Sequence, residues 1–356
     1  MYLSSYRIST VHSCGFPTYA FWEHTRNLFG FALLDANLNI VPRSDAVLDL
    51  NAAFKRKRVW FEDVRLFRLN DAMFLSSYHD KLLPISISLP GDEEDQKKHA
   101  ATEVLPNLFG TGLSVSLGEA QSIGAKGKNF QFFPLPYAKV GDEEEQQGKR
   151  NSVLVETWPA SPRTVLEIDL LNHSWGGVVS VINESISEYV PEVKQALNAK
   201  GVQREFLPRD RGTACCASID RVHFQDFLPS EDVAKYDHLF VGVAHIKSRK
   251  RFFRYLSRLY AFSPNPPYSL VARTHVMCFG FAEEGEMEAD PYANITRKKH
   301  LLDMFGQTID CPGIHFVSGI TEKVGESKIV LAYGVNDCVS RMVEIEKRTL
   351  AEALFT

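Results

Sequence analysis

Residues 60–65 read Trp60, Phe61, Glu62, Asp63, Val64 and Arg65, a pair of carboxylates set between aromatic rings and an arginine. A carboxyl group in such surroundings can act as a general acid. Successive side chains of an extended segment face opposite ways, so only one of Glu62 and Asp63 can enter a given pocket. Asp63 and Arg65 lie two positions apart and read equally well as an ion pair on one solvated face. Lys128 and Asn129 (GKNFQFFP) place a cation and an amide before an aromatic run, a mixture suited to anions or to sugar hydroxyls with ring stacking. A solvated lysine ahead of a buried strand is the plainer reading. Residues 209–213 (RDRGT) carry two arginines around an aspartate before a glycine, as a self-paired turn also would.

Residues 247–258 (KSRKRFFRYLSR) follow His245 and hold six basic residues among twelve, interleaved with Phe252, Phe253 and Tyr255. Cations beside stacking rings suit a phosphate or a phosphorylated polymer, and a hairpin edge carrying solvated positive charge accounts for the same pattern. Asn336 and Asp337 follow a strand-like run and a glycine, where turn-formers are common. The glycine-rich residues 110–127 contain neither GxGxxG nor GKS/T, and no His/Cys/Asp spacing matches a metal site. Neither a cofactor nor a metal is therefore predicted.

The elements that must hold these residues are mostly strands. Short alternating runs bounded by turn residues, such as 64–78 hinged on Asn70 and Asp71, 239–245, 268–281 and 328–333, predict antiparallel hairpins. Helical signals are confined to 191–199, 297–305 and 338–354. The acidic stretches 91–98 (GDEEDQKK) and 141–150 (GDEEEQQGKR) have no apolar face and read as solvated insertions within one body. The hairpin spacing fits a propeller or a sandwich, which pattern alone does not separate.

Composition bounds the rest. The 356 residues are 44% hydrophobic and 24% charged, enough to bury a sizeable core. With 40 Lys and Arg against 44 Asp and Glu, the net charge of -4 argues against a nucleic-acid partner. No segment reaches the roughly 18 apolar residues of a membrane span, and residues 1–30 lack an apolar leader core. Six cysteines without CxxC spacing read as free thiols of a reducing compartment, so a cytoplasmic location is expected. Asn-x-Ser/Thr matches at Asn172, Asn183 and Asn294 point weakly the other way.

Taken in order, Tyr6-Arg7, Glu62-Asp63-Val64-Arg65, Lys128-Asn129, Arg211-Gly212-Thr213, His245 with Tyr255, Ile314-His315-Phe316-Val317-Ser318-Gly319 and Tyr333-Gly334-Val335-Asn336-Asp337-Cys338 resemble the motif series of the β-mannoside phosphorylases and hydrolases of glycoside hydrolase family 130 and of related β-1,2-mannosyltransferases. The resemblance spans nearly the whole chain, and its most specific pieces are the EDxR site and the C-terminal pair. It implies an all-β fold, a five-bladed β-propeller with a few peripheral helices, formed by residues 1–356 as one domain with a shortened first blade.

The resemblance further implies Asp63 as the one catalytic acid of an inverting mannosyl transfer. Arg7, Asn129 and Asp337 would then bind the sugar, and Lys128, His245 and Tyr255 the attacking phosphate. Implied partners are an oligosaccharide or mannose-1-phosphate, and inorganic phosphate. A sugar-nucleotide-dependent mannosyltransferase and a non-catalytic carbohydrate- or protein-binding propeller are the alternatives. Three departures stand out: Val64 replaces the motif proline, Glu156-Thr157-Trp158-Pro159 replaces an arginine before a proline, and residues 214–219 contain no lysine.

Overall fold

The computed structural model describes residues 1–9, 27–48, 64–69, 72–77, 81–88, 103–104, 113–118, 121–122, 130–134, 152–158, 163–169, 178–184, 211–248, 254–274, 277–279, 301–302, 308–309, 311–312, 314–336 and 339–356. Two compact units divide the chain: Met1–His12 with Thr18–Lys128 and Ile168–Gly177, and Ser13–Pro17 with Asn129–Glu167 and Val178–Thr356.

In the first unit β1 (Tyr2–Ser9), β2 (Asn27–Leu34) and β3 (Ile40–Leu48) form an antiparallel meander. A second sheet runs β4 (Arg65–Leu69), β5 (Ala72–Ser77), β6 (Lys81–Ser88), β8 (Ser114–Leu117) and β7 (Glu103–Val104), with β9 (Gln121–Ser122) paired to β6. The β2–β3 turn is closed by Asp35, whose Oδ1 accepts from Asn37 N at 2.8 Å and Asn39 N at 2.9 Å. Asp is suited to this because its short side chain reaches its own backbone two residues on. Phe29, Phe31 and Ala46 from the first sheet cluster with Leu75, Leu83, Val115 and Leu117 from the second. Alternation thus sends every second side chain into a shared apolar layer.

The second unit repeats the plan. Its sheets are β10 (Gln131–Pro134), β11 (Ser152–Trp158), β12 (Arg163–Asp169) and β13 (Val178–Glu184); then β14 (Arg211–Asp220), β15 (His238–Ser248), β16 (Arg254–Phe262) and β17 (Leu270–Arg273). The pair β18 (Leu301–Leu302) and β19 (Thr308–Ile309) precedes a three-stranded sheet of β20 (His315–Glu322), β21 (Lys328–Val335) and β22 (Val339–Glu346). Helices α1 (Arg221–Phe224) and α2 (Ser230–Val233) link β14 to β15, and α3 (Lys347–Phe355) ends the chain. One core joins Val241, Leu259, Val317, Leu331 and Ile345 to Phe224, Leu350 and Leu354. Another places Phe133, Leu154 and Val165 against Phe262, Tyr268 and Leu270.

The described residues are therefore mostly strand, in several antiparallel sheets with few helices. The 64–78 hairpin, the 239–245 strand and the 328–333 strand fall where the alternation predicts them. The 338–354 helix is shorter than expected: Val339–Glu346 pairs residue for residue with β21, and the helix begins only at Lys347. The β-branched residues and Arg341, Val343 and Ile345 at alternate positions favour the sheet in that first half. Residues 301–302 form a short strand rather than part of a 297–305 helix. Among the described residues of 268–281 the strand covers Leu270–Arg273, with one further bridge at Met277. The 191–199 helix and both acidic stretches lie outside the described residues, as do Asn172 and Asn294. Among the described residues no helix is long and apolar enough to cross a membrane.

The β20–β21 turn carries a charge network that fastens α3. Lys323 Nζ meets Glu344 at 2.7 Å and Glu326 at 3.0 Å, Lys328 Nζ meets Glu326 at 2.8 Å, and Lys347 Nζ meets Glu322 at 2.6 Å. Hydrogen bonds from Lys328 and then Lys323 hold the Glu326 carboxyl below its ordinary range. Because the folded value is the lower one, this stabilisation is full at neutral pH and is lost as pH falls below about 4.5. Glu326→Gln should accordingly melt below wild type at pH 7, and thermal scans between pH 7 and pH 3 should show the gap closing towards the acid end.

Candidate functional site

In the second unit, Arg211 of β14 stands opposite His245 of β15, and His245 opposite Ser257 of β16. Ser257 is small, so the diagonal neighbour Tyr255 reaches across to His245, as cross-strand geometry allows for long side chains. Their ring centroids lie 5.7 Å apart. Phe316 of β20 completes the group edge-on, 5.2 Å from His245 and 5.9 Å from Tyr255. The strand carrying Phe316 is docked by a parallel bridge between Ile314 and Tyr255. His245 is buried, while Tyr255 and Phe316 are partly exposed. An imidazole edge and a phenol in a partly dry setting can donate hydrogen bonds to an anion, with more effect than in water.

Ser257 also takes part in a second polar group. Ser257 Oγ and His315 Nδ1 are 3.1 Å apart, and the His315 ring packs between Phe279 at 5.2 Å and Tyr333 at 5.0 Å. Burial pushes the imidazole down to about 3, so His315 is neutral at any ordinary pH, and burial also raises the Tyr333 phenol. Phe279 reaches His315 from beside Cys278, which is disulfide-bonded to Cys311 with Cα atoms 6.0 Å apart. The expectation of free thiols is corrected at these two positions: residues 278 and 311 are far apart in sequence, and only the fold brings them within bridging distance. Cys14 and Cys338 lie outside the described residues.

A third polar group holds the sheet that presents His245. The β14–β15 ladder shifts register on both sides of Ala214, and such irregularities leave backbone groups without ladder partners. Gln131 of β10 supplies them: its Nε2 donates to Ala214 O and to Val243 O, both at 2.7 Å. Thr213 Oγ1 adds a bond to Val243 O at 3.0 Å. With both amide protons committed, Gln131 Oε1 is left as an acceptor for the Tyr260 hydroxyl, which also contacts Glu156 Oε2. Gln131 and Glu156 are each 1% exposed. Gly212 makes room for this side chain, since a Cβ there would sit 2.5 Å from Gln131 Cδ and Oε1.

Of the residues singled out from sequence, His245 and Tyr255 are thus brought together. Arg7 lies in β1 of the other unit, paired with Phe29; Asp63, Lys128, Asn129 and Asp337 lie outside the described residues. The glycine of 209–213 does not make a turn, because Arg211, Gly212 and Thr213 open β14. Of the basic run, residues 249–253 lie outside the described residues. Its first two residues end β15 and residues 254–258 begin β16, the two inner strands of their sheet rather than edges, and Arg258 is buried. Sequence reading passed over Gln131, Ser257 and Tyr260. Gln131 carried a signal, being the one polar residue inside the apolar run Phe130–Phe133.

These features define a mostly-β protein of antiparallel sheets with a partly buried His/Tyr/Phe cluster. No family model and no curated protein matches the chain. Among solved structures it is similar to MPT-4, a mannose phosphorylase from Leishmania mexicana, in complex with a phosphate ion, at a TM-score of 0.33 and 10% identity, over 93% of this chain and 83% of that one. A likeness of this size carries neither the fold nor the activity of that protein to this chain.

Two outcomes follow from the buried groups. Gln131→Leu removes the Gln131 donor from the Ala214 carbonyl and leaves the Val243 carbonyl only its bond from Thr213, at about 1–3 kcal/mol for an unsatisfied group; chemical denaturation should show a loss of about 1 kcal/mol or more by that estimate, and Gly212→Ala a loss in the same direction. For His315 the folded value lies below the ordinary 6.5, so its contribution is full above pH 6.5 and declines as pH falls towards 3. His315→Phe should flatten the acid limb of the stability profile, and an unchanged limb would count against burial as its cause.

Proposed function

We propose that this chain is a carbohydrate-active enzyme of β-mannoside phosphorylase type, built as a five-bladed β-propeller. The observation that carries the reading is the meeting of His245, Tyr255 and Phe316, two pieces of the motif series some sixty residues apart in sequence, in one cluster. Support for the propeller comes from the succession of antiparallel meander sheets in chain order.

In this reading a phosphate oxygen attacks the anomeric carbon of a β-mannoside as the bond to the leaving sugar oxygen breaks. Asp63, acting through a sugar hydroxyl, gives the proton to that oxygen, and inversion yields α-mannose-1-phosphate. His245, Tyr255 and Lys128 position the phosphate, and Arg7, Asn129 and Asp337 hold the sugar. Phosphate arrives already ionised, so positioning and charge replace a general base. A hydrolase would need a second carboxylate about 6.5–9.5 Å from the first to activate water.

The test is turnover of mannose-1-phosphate with mannose or short β-mannosides as acceptors, following released phosphate and lengthened product. Asp63→Asn should abolish turnover while leaving sugar binding and melting temperature in place, since it removes a proton and no binding surface. Turnover with GDP-mannose and not with mannose-1-phosphate would sink the phosphorylase reading.

A further inference from the structure

The β20–β21 ladder ends at the pair His315 and Val335, and one residue beyond it the chain makes an unusual join. Asn336 N donates to Ile314 O at 2.8 Å. An antiparallel pair of this kind would return the bond from the Ile314 N–H to the Asn336 carbonyl. Here that N–H donates instead to Asn336 Oδ1, at 3.0 Å. The backbone of Asn336 has φ +54°, the left-handed region that Asn tolerates far better than branched residues. Its side-chain oxygen thus takes the place of a ladder carbonyl while the chain turns away. Asn336 is 8% exposed, so neither bond is readily replaced by water.

What this join fixes is Ile314. That residue bridges Tyr255 on its other side, and two positions on lies Phe316, which packs against both Tyr255 and His245. We propose that Asn336 is a positioning residue for the anion-binding pair His245 and Tyr255, acting through Ile314 and Phe316. The inference rests on the phosphorylase reading for the identity of the anion and goes beyond it in naming the residue that sets the pair's geometry. Asn supplies two things at once here, a tolerated left-handed backbone and an acceptor of the right length; glycine supplies only the first.

Asn336→Gly separates the two, because it keeps the backbone conformation and removes Oδ1. With inorganic phosphate and a short β-mannoside as substrates, the expected result is a roughly tenfold rise in the KM for phosphate with the KM for the sugar and kcat little changed, well short of the hundredfold that a misplacement of about 1 Å can cost. A merely structural role would lower melting temperature and active fraction without splitting the two KM values. Hydrogen exchange gives a second measurement: the Ile314 amide should lose protection in Asn336→Gly and keep it in Asn336→Asp, which retains an acceptor. Equal phosphate KM in Asn336→Gly and wild type, with wild type active, overturns this inference alone. A wild type that neither turns over these substrates nor binds phosphate overturns the phosphorylase reading and this inference with it.

Discussion

Two backbone carbonyls have to be satisfied in the middle of the second unit, and the primary amide of Gln131 satisfies both. The β14–β15 ladder cannot do so itself, because its register shifts on either side of Ala214. The donors come from β10, in the neighbouring sheet. An amide suits this task where a hydroxyl does not: it has two protons to give and still offers an oxygen. That oxygen draws in Tyr260, whose hydroxyl also contacts Glu156, so one side chain ties four strands of two sheets. Low dielectric strengthens such a network once complete and makes any missing member costly.

The consequence reaches the candidate site through the strands. Arg211 and His245 are paired at the end of the ladder that Gln131 repairs, and His245 stands two residues from the Val243 carbonyl. The position of the imidazole relative to Tyr255 is set by the regular β15–β16 pairing, whereas its position relative to β14 depends on a bulge held by hydrogen bonds. Bulges are used in this way to re-aim side chains. Gly212 belongs to the same arrangement for a steric reason, since any side chain there would occupy the volume of Gln131.

Around Ser257 two groups of aromatic and polar side chains meet. The more exposed group is His245 with Tyr255 and Phe316; the other is His315 with Phe279 and Tyr333. The His315 imidazole is neutral because it is buried, and it adds no charge to repel or attract a ligand at His245. Cys278 and Cys311 join the segments that bring Phe279 and the start of β20 to this place, so the aromatic wall is held covalently as well as by packing.

The amino-acid sequence by itself determined the strand content, the hairpin at 64–78 and the strands around His245 and Tyr333, because a half-buried strand must alternate and that period is local. It also marked His245, Tyr255 and the 314–319 and 333–338 segments as belonging together. It did not determine whether 339–346 would be helix or strand, since the choice depended on the free edge of β21 more than on local preference. Nor could it reveal the partners of Gln131, Ser257 and Asn336 or the joining of Cys278 to Cys311. Those contacts link residues from 22 to 112 positions apart, and only the tertiary structure brings them within hydrogen-bonding or bridging distance.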